Sequence, residues 1–135
     1  MAFKCKMQNA ECKIISEMIL LNNNAIEEKS FNFSIRIVNL YKYLTVDKKE
    51  FVMSKQLLKS GTSIGANVAE AQSGQTKPDF NTKMNIALKE ANETQYWMKL
   101  LYKTEYISEK EYLSIENDIR EIIAILVSIC KRTNK

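Results

Sequence analysis

Two groups of side chains in this sequence have types and spacings that could do chemistry. The first is basic: Arg36, Lys42, Lys48, Lys49, Lys55 and Lys59 fall within one stretch and could meet the phosphates of RNA or DNA. The second is an amide and two carboxylates, Asn67, Glu90 and Glu93. Asn67 continues an apolar stripe of Met53, Leu57 and Ile64, while Glu90 and Glu93 share a helical face with Ile86, Trp97 and Leu100. Polar groups held among large apolar ones need hydrogen bonds or cost roughly 1–3 kcal/mol each. Two readings follow, a buried polar network that fixes helix register or a ligand site. Two carboxylates with no histidine make a poor metal set, so no metal is expected.

The charge is unevenly placed. The net formal charge is only +4, but Lys29 to Lys59 holds seven basic residues against Asp47 and Glu50, and Thr104 to Cys130 holds six acidic residues against Lys110 and Arg120. The basic half could grip phosphates, with symmetry in an oligomer multiplying a weak patch. It could equally meet the acidic half of a second copy, so that charge serves assembly and a protein partner. A solvated surface of Lys and Glu is the third reading. Tyr41, Tyr43 and Tyr102 are candidates for stacking on unpaired bases, although tyrosine also packs in helical cores.

Much chemistry is excluded by composition. The chain has no histidine, which removes Ser-His and Cys-His nucleophiles, His-ligated zinc and the Glu-x-x-His pairs of di-iron bundles. The sole Gly-x-x-x-Gly, Gly61 to Gly65, lies inside a helical pattern and is no phosphate-cradling loop. No enzyme and no cofactor are therefore expected. Cys5, Cys12 and Cys130 are odd in number and lack C-x-x-C spacing, as suits packed, reduced thiols. The most apolar run, Ile122 to Cys130, is under half the ~20 residues that span a bilayer, and no signal peptide is evident. A cytoplasmic protein without membrane contact is expected.

The elements that must position these residues are helices. The 135 residues suit one domain, and three Gly and one Pro leave little to stop a helix. The predicted architecture is an all-α, antiparallel up-down-up-down four-helix bundle, with helices over about 30–46, 48–72, 78–106 and 108–132. Phe33, Ile37, Leu40 and Leu44 give the first its stripe. Asp47 and Glu50 form a capping pair for the second, whose stripes are Phe51, Ser54, Leu58, Gly61, Gly65 and Val68 beside Met53, Leu57, Ile64 and Ala71. Pro78 and Asp79 open the third, where Phe80, Met84, Ala87, Ala91, Thr94, Met98 and Leu101 recur without an error. Ser108 and Glu111 cap the fourth, with Tyr112, Ile115, Ile119, Ile122, Leu126 and Ile129 repeating along it. Its β-branched second half favours strand by propensity, but the heptad register overrides that. Residues 1–29 are expected to form an arm or short docked helix, interrupted at Asn22-Asn23-Asn24, and 133–135 a tail.

The most distinctive run is Ser60 to Ala71. Gly61, Gly65 and Ala69 fall on one ridge, and since Gly inside a helix costs roughly 0.5–1 kcal/mol relative to Ala, close packing of a neighbouring helix is the expected return. Four runs, Lys29-Ser30-Phe31, Ile35 to Tyr41, Ser63 to Ala71 and Ile86 to Thr94, make residues 26–132 resemble the four-helix-bundle proteins encoded in intervening sequences of bacterial 23S ribosomal RNA genes. More distantly the chain is similar to the accessory variability protein of diversity-generating retroelements. Ala71 stands where that pattern more usually has Gly. The resemblance implies a homopentameric ring and, through the retroelement relatives, binding to nucleic acid and to a polymerase partner. It carries over no catalytic residue.

Overall fold

The structure is a computed structural model that describes residues 9–74 and 76–133. Residues 1–8 of the expected arm, Cys5 among them, and the last two residues of the expected tail lie outside the described residues. Four helices make up the fold: α1 (Asn9–Val46), α2 (Met53–Gln72), α3 (Lys77–Lys103) and α4 (Glu109–Thr133). Each packs against two neighbours in the ring α1–α2–α3–α4–α1, and among the described residues the diagonal pairs do not touch. The contacts run in opposite directions along every pair. Ser60 meets Thr94 while Glu70 meets Lys83 across α2 and α3, and Gln95 meets Glu116 while Asn81 meets Thr133 across α3 and α4. The bundle is antiparallel, up-down-up-down, as the short connections predict.

The core follows the heptads. Phe33, Ile37, Leu44, Leu57, Ile64, Met84, Met98, Leu101, Ile119, Ile122 and Leu126 are all fully buried. The β-branched end of α4 is helical because Ile122, Leu126 and Ile129 sit in that seam, where packing outweighs propensity. Thr76 caps α3 by accepting from the Asp79 amide, with Pro78 in the first turn. Ser108 caps α4, its Oγ accepting from the Glu111 amide and donating to the Glu111 carboxylate at 3.0 Å, so the carboxylate takes the hydroxyl rather than the Ser108 amide of a full capping box.

Four expectations about the helices are corrected. The first helix does not begin near Ser30: α1 starts at Asn9, and the three asparagines pass through it without a break. Asn in a helix interior costs well under 1 kcal/mol, and no Gly or Pro precedes Gly61, so nothing local stops the helix. Within this extension Ile26 is buried, whereas Ile14, Ile15, Met18, Leu20 and Leu21 are exposed.

The second helix does not begin at Lys48. Residues 47–52 form a turn with Lys49 left-handed at φ 55°, and Glu50 replaces Asp47 as the cap. Its carboxylate accepts from the amides of Val52, Met53 and Ser54 at 3.1, 2.9 and 2.7 Å, while Ser54 Oγ donates to the Glu50 carbonyl at 2.7 Å. The third correction follows from the second: Phe51 lies outside the helix that its stripe assumed and is 61% exposed. At the far end, α3 stops at Lys103 rather than Tyr106. Glu105 is left-handed at φ 69° and the Tyr106 amide closes on the Leu101 carbonyl at 2.9 Å, a helix-ending bond pattern usually built on Gly.

Candidate nucleic-acid interface

The candidate residues lie mostly where α1 and α2 meet. A Cβ on Gly61 would lie 2.8 Å from two side-chain carbons of Ile37, and one on Gly65 would lie 3.2 Å from the Ser30 carbonyl oxygen and Ser34 Oγ. The two glycines thus let α1 lie directly on α2, as the ridge predicts. Ala69, the third residue of that ridge, is exposed and takes no part. Gly61 opposite Ile37 also fixes an antiparallel register in which Lys55 lies about level with Lys42, at the end of the hairpin that carries Lys48 and Lys49.

The six basic candidates divide. Lys42, Lys49, Lys55 and Lys59 are exposed, and none has a carboxylate partner among the described residues. Lys48 is exposed with its ammonium 5.8 Å from the Tyr43 ring centre. Arg36 belongs elsewhere. Its guanidinium reaches Asp118 at 2.6 Å and Ser114 Oγ at 3.0 Å, so it ties α1 to α4. Lys29 does the same with Glu121 at 2.9 Å, and that carboxylate raises the lysine's pKa. Basic and acidic halves therefore partly neutralise each other within one chain, while Lys42, Lys49, Lys55 and Lys59, near the turn end of α1 and α2, keep no carboxylate partner among the described residues.

Asn67, Glu90 and Glu93 are not brought together as a buried network. The half-buried Asn67 donates to the Ser63 carbonyl within its own helix at 2.8 Å, and the exposed Glu93 accepts from Trp97 Nε1 at 3.4 Å. Glu90 contributes its backbone carbonyl to Thr94. A helical amide one turn above a carbonyl can satisfy itself locally, which the stripe alone did not reveal. The buried polar contact between α2 and α3 is instead Ser60 with Thr94, both inaccessible to solvent, their hydroxyl oxygens 3.0 Å apart. Thr94 also reaches the Glu90 carbonyl at 2.8 Å and Ser60 the Leu57 carbonyl at 3.4 Å, so each hydroxyl has an acceptor for its proton. Cys130 is buried in the core, which pushes its thiol pKa up and suits the packing role expected of it.

The tyrosines singled out for stacking are occupied. Tyr102 lies flat on Tyr112, with ring centres 4.5 Å apart and planes 6° off parallel, and Lys103 sits 5.3 Å from its centre. Tyr43 carries Lys48, and Tyr41 is half-buried. The depression of about 450 Å³ between Tyr43, Lys48, Tyr102 and Tyr106 is rimmed by Glu105, Glu109 and Glu111, the wrong sign for phosphate.

The geometry is that of a packed helical scaffold with a charged surface, and comparison with known proteins places it. The sequence pattern described as "23S rRNA-intervening sequence protein" matches residues 22–128, most of the chain. The chain belongs to that family. A crystal structure of a protein of unknown function from the S23 ribosomal protein family, from Bacteroides thetaiotaomicron VPI-5482, is 58% identical and superposes with a TM-score of 0.80. The likeness covers 82% of this chain and 98% of that one. None of the curated proteins matches. The family span begins at residue 22, so residues 9–21 of α1 lie outside it.

Proposed function

We propose that this member of the 23S rRNA-intervening sequence protein family is a non-catalytic, homo-oligomeric helical bundle that binds RNA or DNA weakly through the basic turn end of α1 and α2. The observation that carries the reading is the cluster of Lys42, Lys49, Lys55 and Lys59, exposed and without carboxylate partners, joined by Lys48. Such lysines bind phosphate as mobile point charges, which favours affinity without base sequence preference. The family resemblance supports a pentameric ring, and five copies of the patch would supply by multiplication what one lacks. A sequence without histidine supports a binding rather than a catalytic role. No described helix is long and apolar enough to cross a membrane.

The adaptor reading, in which the surface serves self-assembly and a polymerase-type or other protein partner, has one observation in its favour. Phe31 and Ile35, one turn apart on α1, are 66% and 47% exposed and form an apolar spot that nucleic acid would not need. The two readings separate in one experiment, which measures RNA and DNA binding at low salt for the wild type and for Lys55→Glu/Lys59→Glu, with light scattering on both. Lost binding with an intact oligomer supports the nucleic-acid reading. Dissociation of the oligomer by the same reversals, with no binding by the wild type, supports the adaptor.

A further inference from the structure

Phe51 is an aromatic ring left exposed on the connection that carries Lys48 and Lys49. Two features hold it there. The Glu50 carboxylate accepts from three amides of the α2 N-terminus and Lys49 is left-handed, so Phe51 sits on a tight turn outside the α2 seam. Phe51 is 61% exposed, Val46 and Val52 at the ends of the same connection are 64% and 73% exposed, and the exposed Lys48, Lys49 and Lys55 lie within four residues of Phe51 in sequence. A rigid turn that exposes a large ring has given up roughly 1.5–3 kcal/mol of burial that a Phe normally returns. An aromatic face amid lysines matches the two faces of an unpaired nucleotide, its flat base and its phosphate.

We propose that Phe51 is a stacking platform for an unpaired base, so that the basic turn of α1 and α2 takes single-stranded in preference to duplex nucleic acid. This rests on the nucleic-acid reading above and narrows it. A duplex keeps its bases stacked on each other and offers a ring of this kind nothing, whereas a single strand offers one unpaired base with each phosphate. A two-fold contact between copies would set Lys48, Lys49 and Lys55 against the same lysines, and a head-to-tail contact of the kind that closes a ring is read out by the oligomeric state of Phe51→Ala. Three apolar side chains, two of them valine, are also a small anchor for a lipid surface.

The test is fluorescence anisotropy at low salt with a labelled uridine-rich single strand and a labelled duplex of equal length, using the full chain and the variants Phe51→Ala and Phe51→Trp. The wild type should prefer the single strand. Phe51→Ala should weaken single-strand binding about 5- to 100-fold and leave duplex binding and its salt dependence unchanged. Phe51→Trp should retain single-strand affinity and show quenched indole emission on binding, a readout that a merely structural role would not produce. Equal binding of both nucleic acids with no effect of Phe51→Ala overturns the platform while leaving the nucleic-acid reading standing. Absence of binding to either overturns both. A change in oligomeric state on Phe51→Ala, or tighter binding to anionic lipid vesicles than to the single strand, overturns the platform in favour of a protein or membrane contact.

Discussion

A Cβ on Gly61 would stand 2.8 Å from both Cγ atoms of Ile37, closer than packed carbons tolerate. Ile37 is wholly buried and has no room to move aside, so this one approach sets the distance and register of α1 on α2, and with them the placing of the basic turn.

Gly61→Ala is therefore expected to destabilise the bundle by about 1–3 kcal/mol, overpacking outweighing the gain in helix propensity. Gly65→Ala is expected to be nearly neutral, because its 3.2 Å contacts need a shift of only a few tenths of an ångström and propensity offsets it. Urea unfolding of the two variants checks the contrast, and equal effects would refute this account of the packing.

The Ser60–Thr94 contact predicts a second asymmetry. Thr94→Val leaves the buried Ser60 hydroxyl with only a 3.4 Å carbonyl, at a cost of about 1–2 kcal/mol, whereas Ser60→Ala with Thr94→Val should cost less than the sum of the single changes. A double-mutant cycle on denaturant midpoints measures the coupling, which a merely incidental proximity would leave at zero.

Glu50 ties stability to pH. Burial alone would raise its pKa, but the amides of Met53, Ser54 and Val52 outweigh that and hold it below the usual value of 4.5. A depressed folded-state pKa means the carboxylate stabilises the bundle above the unfolded value, and that this contribution is lost as pH falls from about 4.5 through the lower folded value. Glu50→Gln should cost about 1–3 kcal/mol at neutral pH and flatten the loss of stability in that acid window. Thermal melts between neutral pH and pH 3 would show the two proteins converging; parallel curves would count against the cap.

How much of this was legible in the sequence depends on the kind of interaction. Heptads such as Met84, Ala87, Ala91, Thr94, Met98 and Leu101 located the core correctly because burial is repetitive, and each position repeats the same vote. The Gly61 and Gly65 ridge was legible because a helical glycine has few other uses. Single polar contacts were not. Asn67 could satisfy itself on Ser63, Arg36 could pair with Asp118 across the ring, and Glu50 could displace Asp47 as cap, and nothing in spacing distinguishes these from their alternatives. Phe51 was misplaced for the same reason, since its periodicity fits α2 but the cap starts that helix two residues later. The continuity of α1 was readable from the lack of Gly and Pro, and the three asparagines masked it.

Arg36 and the free lysines should behave differently under mutation. Arg36→Ala removes a bridge between α1 and α4 whose partners are both more than a third exposed, so a small effect on stability and little on nucleic-acid affinity are expected. Lys42→Glu or Lys49→Glu should leave stability within about 0.5 kcal/mol and weaken binding severalfold. Chemical denaturation alongside a binding titration checks both halves.

The central claim is phosphate contact by the lysines around the α1–α2 turn, and the salt dependence of single-strand binding tests it most directly. Four engaged lysines predict a slope of about −3 in a plot of log affinity against log salt concentration, reduced by about 0.7 for each lysine removed. A slope near zero, or no binding at low salt, would contradict it.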